Sequence, residues 1–405
     1  MSKTIQTVRM TPSTKEEDPI AFSRPYLDEE EVQAAAAVLR NGWIVGGVRL
    51  AAFERRFAEL CGAAEAVGVS SWTTGGFLVL HSLGIGPGDE VIVPSLTFIA
   101  SVNVIRHAGA TPVFADVDPA TYNIDPADVA RKITERTRAI LPVDQIGLPC
   151  DIDAINEIAA RHGISVIDDA ACAFGSRNRN RPVGSLAEVT IFSLHARKVV
   201  TTGEGGMIVT NDRALAERLR RLRHQGMSLS DFARHNTSPT IFEEYPEIGY
   251  NFRITDIQAA IGLAQLDRLD DLLARRRALA ERYQQALAGH PVFIPPHVPA
   301  GLTPNWQSYQ IALRSDAPVT RNMIMDRLYV MGVPTRRGVM ASHLEPPYSG
   351  MGAVLPNTER LAATTLQLPM HPALSLAQQI RVLAALEAVI TERQNGEPPK
   401  PSARC

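Results

Sequence analysis

An α/β fold with a mainly parallel sheet covered by helices on both faces is the architecture this sequence predicts. Short apolar runs alternate with helical stretches through the first half of the chain, and turn residues separate them. The 405 residues, 45% of them hydrophobic, are enough to bury a substantial core, and the length favours two or three structural units.

The strands are read in order from their apolar runs. Ala66–Val69 opens the series, and a helix follows over Thr74–Leu83. Glu90–Val93 enters a Pro-Ser turn and a helix around Phe98–His107. Thr111–Ala115, Ala139–Val143 and Ser165–Ile167 continue the series, with helical sequence such as Asp153–Arg161 between them. Val189–Phe192 and Met207–Val209 add two more strands. A long helical region is expected over roughly Ile254 to Ala288, carrying the charges Arg275, Arg276 and Arg277. Beyond it, a strand at Ser308–Leu313 and helices at Thr320–Val330 and Leu376–Thr391 predict a smaller α/β unit. The expected division is an N-terminal tail 1–18, a large domain 19–270, a small C-terminal domain 271–394 and a polar, proline-containing tail 395–405.

Composition excludes several classes. The formal net charge of -2, with acids and bases interspersed, lacks the basic footprint of a nucleic-acid binder. The four cysteines, Cys61, Cys150, Cys172 and Cys405, show neither CxxC nor Cys/His ligand spacing, so a disulfide framework or structural zinc is not expected. No apolar run is long enough to span a bilayer and no signal core opens the chain, so a cytoplasmic location is expected. Gly84-Ile-Gly-Pro-Gly precedes a strand instead of following one, which is the wrong context for a dinucleotide fingerprint.

Two features carry chemistry. Lys198 lies just after the apolar run Ile191-Phe-Ser-Leu and before Gly203-Glu-Gly-Gly206. A solvated surface lysine is the plain alternative. Few acids and several small residues surround it, however, and glycines let another group approach the backbone. An amine that attacks a carbonyl must be neutral, a form that partial desolvation favours. The second feature is Asp168-Asp169, at the end of the strand Ser165–Ile167, on the carboxyl edge where ligands of α/β sheets bind. These aspartates could cap a helix or bind a metal, although no further ligand cluster supports the latter. A single buried aspartate facing a pyridinium nitrogen also fits, because its charge keeps such a ring protonated and electron-withdrawing.

The order Asp169, Ser193, Lys198 and GEGG resembles the sugar-nucleotide aminotransferases of the DegT/DnrJ/StrS type. Gly42-Trp-Ile-Val-Gly-Gly47, Gly84–Ser95, Thr97-Phe98, Gly109–Asp118, Gly249-Tyr-Asn-Phe-Arg253 and Asp256-Ile-Gln-Ala-Ala260 agree, so the resemblance runs from about Ala21 to Arg393. It implies a fold type I, aspartate-aminotransferase-like protein with a mainly parallel seven-stranded sheet between helices. It also implies the cofactor pyridoxal 5'-phosphate (PLP), alternating with its amine form (PMP), and a homodimer with shared active sites.

By the same resemblance, Lys198 is the catalytic lysine that carries the cofactor and moves a proton. Asp169 pairs with the ring nitrogen and Phe98 stacks on the ring. Ser193 and the turn Trp72-Thr73-Thr74 hold the phosphate. Asn251 reaches the phosphate of a neighbouring subunit, and Arg253, His195 and Asp144 face the substrate. Arg197, Arg336, Arg337 and His343 could line the same pocket, with ordinary structural readings beside that one. The implied reaction moves an amino group from an amino acid, glutamate above all, to a keto sugar linked to a nucleotide. A keto-cyclitol acceptor and a non-catalytic, cofactor-binding regulator are the alternatives.

Three departures accompany the resemblance. Trp72-Thr73-Thr74 stands where the family has Gly-Thr-Ala, so the indole must turn away from the phosphate or reshape the pocket. Cys172 stands where the family commonly has a glutamine that bonds the cofactor's ring hydroxyl, and a thiol is a weaker partner. Asp144 replaces a frequent histidine.

Overall fold

The computed structural model describes residues 19–230, 234, 240 and 242–394. The two expected tails, 1–18 and 395–405, lie outside the described residues.

Seven strands form the main sheet: β1 (Glu65–Val69), β2 (Glu90–Pro94), β3 (Thr111–Ala115), β4 (Thr137–Ile140), β5 (Ser165–Asp169), β8 (Val189–Ser193) and β9 (Gly206–Thr210). Between β5 and β8 lie two short strands, β6 (Arg177–Asn178) and β7 (Arg181–Pro182). The order across the main sheet is β1-β9-β8-β5-β4-β2-β3. Neighbours from β3 through β8 pair in parallel, while β9 runs antiparallel to both β8 and β1.

Alternation along the strands explains the layering, because successive side chains leave a strand on opposite faces. Ile191 and Ile208 pack with Leu78 and Val104 on one face. Their neighbours Phe192, Met207 and Val209 pack with Phe53, Phe57 and Leu266 on the other. Helices Trp72–Ser82 and Ala100–His107 cover the first face, and Val48–Cys61 and Asp256–Asp267 the second. With both faces buried, these strands read as apolar runs instead of an alternating pattern.

Two expectations change. The strand expected at Ala139–Val143 is Thr137–Ile140; Pro142 has no N–H to offer the ladder, and beyond it only a single parallel bridge between Val143 and Asp169 continues the pairing. The helical region expected over roughly Ile254–Ala288 is present as two helices, Asp256–Asp267 and Leu269–Leu287, which meet at Arg268. No glycine or proline breaks them. The Arg268 guanidinium is instead held by Asp28 at 2.6 Å and Glu31 at 3.0 Å, and this tertiary anchor sits at the junction.

The second sheet is antiparallel, in the order β10 (Phe293–Ile294), β12 (Tyr309–Leu313), β14 (Thr365–Leu368) and β13 (Arg336–Arg337). It shares a core with helices Leu269–Leu287, Arg321–Val330 and Leu376–Gln394, and Ile20 from the start of the described chain joins that core. β11 (Leu302–Thr303) pairs with β6, tying this half to the main sheet near β5. No helix among the described residues is long and apolar enough to cross a membrane.

Candidate active site

The carboxyl ends of β2, β5 and β8 converge on one site. Asp169, the last residue of β5, is buried, and its Oδ2 accepts from Ser101 Oγ at 2.7 Å while Oδ1 accepts from the Ala171 amide at 3.1 Å. Ser101 Oγ also lies 2.9 Å from Thr97 Oγ1. This chain of hydroxyls fixes the turn that carries Phe98, whose ring is 66% exposed. An aromatic face left bare beside a buried acid is an unusual use of a large apolar side chain, and it suits a planar ligand. Burial pushes the Asp169 carboxyl up to about 6, against the bonds from Ser101 and Ala171 and the nearby charge of Lys198.

Lys198 follows β8 on a tight turn, closed by its amide donating to the His195 carbonyl at 2.8 Å. The half-buried Nζ donates to Cys172 Sγ at 3.1 Å. Cys172 thus meets the lysine itself. Ser193 and His195 lie on the same stretch, with the His195 amide reaching Ser193 Oγ at 3.4 Å and its ring 3.8 Å from Glu204.

The helix Trp72–Ser82 points its N-terminus at this edge of the sheet. Ser71 caps it, accepting from the Thr74 amide, and the Thr74 hydroxyl closes the capping box. The Trp72 indole turns into the core, where Nε1 donates to the Ile191 carbonyl at 3.1 Å, so only its backbone can serve an anion. Gly206 explains how the helix comes so close. A Cβ there would sit 2.6 Å from the Ser71 carbonyl carbon and 2.8 Å from the Trp72 nitrogen, so any side chain would push the helix end away.

A clamp that sequence reading missed holds the two sides together. Asn305 is buried, and its Nδ2 donates to the carbonyls of Cys172 at 2.7 Å and Phe174 at 2.9 Å. Gln307 Nε2 donates to the Arg197 carbonyl at 2.9 Å, next to Lys198. Arg276, buried with no carboxylate partner among the described residues, donates to the carbonyls of Trp306 and Gln307. Gly147, at φ +93°, leaves room for Asn305: a Cβ there would lie 1.9 Å from Asn305 Oδ1. Ser101 and Asn305 lie 68 and 133 residues from the groups they hold, and no local motif marks either of them.

Several expected residues lie elsewhere. Asp144 is buried, its Oδ1 accepts from the Cys150 amide at 2.7 Å, and it clusters with Asp168 on the opposite face of β5 from Asp169. Asp168 and Asp169 alternate across the sheet, so only one of them can reach the lysine. Arg253 lies 3.0 Å from His224 Nδ1, in a surface cavity of about 330 Å³ whose walls include Arg220 and Arg223 but not Lys198. Asn251, exposed, bridges to His224 on the same surface. His343 is a buried structural residue between Ser95 and Glu359. Arg197 and Arg336 stack over the ring of Phe22, and Arg337 pairs with Glu345 at 3.6 Å.

The model of the DegT/DnrJ/EryC1/StrS aminotransferase family matches residues 25–387. The chain belongs to this family. GDP-perosamine synthase of Caulobacter vibrioides is 41% identical over 375 residues, spanning 92% of this chain and 98% of that protein. Among solved structures, the aminotransferase TlmJ from Streptoalloteichus hindustanus has a TM-score of 0.86 at 37% identity, covering 93% of this chain and all of that one. Spr1654 from Streptococcus pneumoniae, described as a putative sugar aminotransferase in its PMP form, has a TM-score of 0.86 at 29% identity, covering 92% and 99%. The chain is a PLP-dependent aminotransferase acting on small molecules, with the fold type I architecture that its sequence motifs imply.

Proposed function

We propose that the enzyme takes an amino group from an amino acid, glutamate above all, and delivers it to a keto sugar joined to a nucleotide. The observation that carries this is the convergence of Lys198, the buried Asp169 and the bare ring of Phe98 at one sheet edge, in a chain 41% identical to a GDP-perosamine synthase.

The residues fit the cofactor on chemical grounds. Asp169 would meet the ring nitrogen as an anion, held by Ser101 and Ala171, and Phe98 would cover one ring face. The amides at Trp72 and Thr73, with the hydroxyls of Thr73 and Ser193, would take the phosphate at a helix N-terminus. When bound, PLP supplies an electron sink for carbanion chemistry. The protein's work is to hold and move protons around it. Lys198 would carry the cofactor, and its amine would be the group that moves a proton between carbons of the reactants. Cys172, which accepts from the Lys198 Nζ, would hold that amine in place. The hydrogen bonds reaching Asp169 keep its charge fixed where positive charge must stay.

His195, beside Lys198, would line the acceptor side. Asn251 and Arg253 lie on a separate surface, which supports a homodimer in which they serve the partner's site. The exposed apolar side chains Leu39, Ile44, Val45 and Val48 offer a surface for that association. The large domain 19–270, the small domain 271–394 and a cytoplasmic location complete the proposal. The Trp72 indole, bonded to the Ile191 carbonyl in the core, and the buried Asp144 lend no support to the cyclitol alternative.

Lys198→Ala should abolish amino transfer while the protein still folds, and a panel of keto acceptors identifies the substrate. Activity on nucleotide-linked keto sugars is the expected result. Activity confined to nucleotide-free cyclic ketones would overturn the acceptor, and transfer surviving in Lys198→Ala would overturn the mechanism.

A further inference from the structure

Behind Asp169, on the opposite face of β5, two more carboxylates are buried together. Oxygens of Asp144 and Asp168 and the Sγ of Cys150 all lie within 4.8 Å of one another. Asp144 and Asp168 are 1% and 2% exposed, and one oxygen of each, Asp144 Oδ2 and Asp168 Oδ1, has no hydrogen-bond partner. The groups that act on the pair are the Cys150 amide and thiol, the Thr190 hydroxyl and the charge of Asp169, with no cation among them. Asp151 also acts on Cys150.

Two like charges cannot share a site of this kind. An unpaired buried carboxylate is costly, and a second beside it more so, unless a cation compensates or a proton neutralises one of them. A proton also gives one of the carboxyls a donor of its own, where a carboxylate can only accept. We infer that Asp144 and Asp168 retain one proton between them through the neutral range, and so act as positioning residues for Asp169. The direction of the burial effect agrees: it pushes Asp144 up to about 7 and holds Asp168 well above the ordinary carboxylate range.

The link to the site is direct. The Asp144 amide donates to the Asp169 carbonyl at 3.0 Å, and the Asp169 amide to the Pro142 carbonyl at 3.0 Å, so the pair is locked to the backbone that carries Asp169. Each further negative charge behind β5 raises the proton affinity of Asp169. The retained proton keeps the second charge away and lets Asp169 stay ionised, as its pairing with a ring nitrogen requires. That last consequence rests on the proposed function; the shared proton does not.

The test begins with cofactor-free wild-type protein at pH 8, where Asp169 is ionised. Infrared spectroscopy should show the carbonyl stretch of a protonated carboxyl, and that band should vanish in the double variant Asp144→Asn/Asp168→Asn. With both replaced, no carboxyl of the pair is left to hold the proton. A wild-type spectrum without the band, a band that survives in the double variant, or a stoichiometric metal ion by elemental analysis would overturn the inference. The wild-type spectrum alone decides if a variant fails to fold. For the link to Asp169, titration with pyridoxal phosphate across pH should place the acid limb of binding lower in the double variant Asp144→Asn/Asp168→Asn. An unmoved limb would refute a hold on Asp169 while leaving the infrared result standing.

Discussion

Asn305→Ala removes one side chain and leaves three backbone groups without a partner. The carbonyls of Cys172 and Phe174 lose their donor, and the Gln307 amide, which donates to Asn305 Oδ1 at 2.9 Å, loses its acceptor. A buried polar group left unsatisfied costs about 1–3 kcal/mol, so three set an upper range of about 3–9 kcal/mol. The vacated space suits a water molecule with three polar neighbours, which would recover part of the loss. The expected net destabilisation is about 3 kcal/mol, read as a lowered urea midpoint with an unchanged slope. Activity should fall as well, because Asn305 and Gln307 hold the carbonyls on either side of the Lys198–Cys172 contact. A displacement there of about 1 Å is worth on the order of 100-fold in rate. A loss below about 1 kcal/mol, with activity intact, would refute the clamp.

Two further predictions are independent of the clamp. Gly206→Ala should weaken retention of pyridoxal phosphate, measured by equilibrium dialysis, because its Cβ would strike the Ser71–Trp72 backbone and displace the helix end; wild-type affinity would contradict this close approach. The stability of the cofactor-free protein should also respond to the raised pKa of Asp144. Its carboxyl binds a proton more tightly folded, at about 7, than unfolded, near the ordinary 3.8. The stabilisation is therefore fully present below about pH 4 and is lost as pH rises to about 7, a span worth about 4 kcal/mol. Thermal midpoints across pH 5–8 should decline less steeply in Asp144→Asn than in wild type, and parallel curves would contradict the shift.

The sheet was legible in the sequence because strands buried on both faces have to be apolar. Thr111–Ala115 lies where its run placed it. The antiparallel direction of β9 was not legible, since an apolar run carries no sign. Nor was the break at Arg268, which depends on acids more than 230 residues away. Lys198 and Asp169 stood out because each sits at the end of a strand, next to small residues. The burial of Asp144 beside Asp168 was not legible, since a position just past a strand does not reveal which face its side chain takes. Ser101, Asn305 and Arg276 act through contacts that only the folded chain creates.

The most direct measurement is the visible absorbance of the purified protein reconstituted with pyridoxal phosphate, before and after glutamate is added, beside the same titration of Lys198→Ala. The expected result is a yellow wild-type protein whose band moves to the shorter wavelength of the amine form, and a variant that does not make this conversion. A wild-type protein that stays colourless, or a band that glutamate leaves unmoved while other amino acids fail as well, would contradict an aminotransferase centred on Lys198 and Asp169.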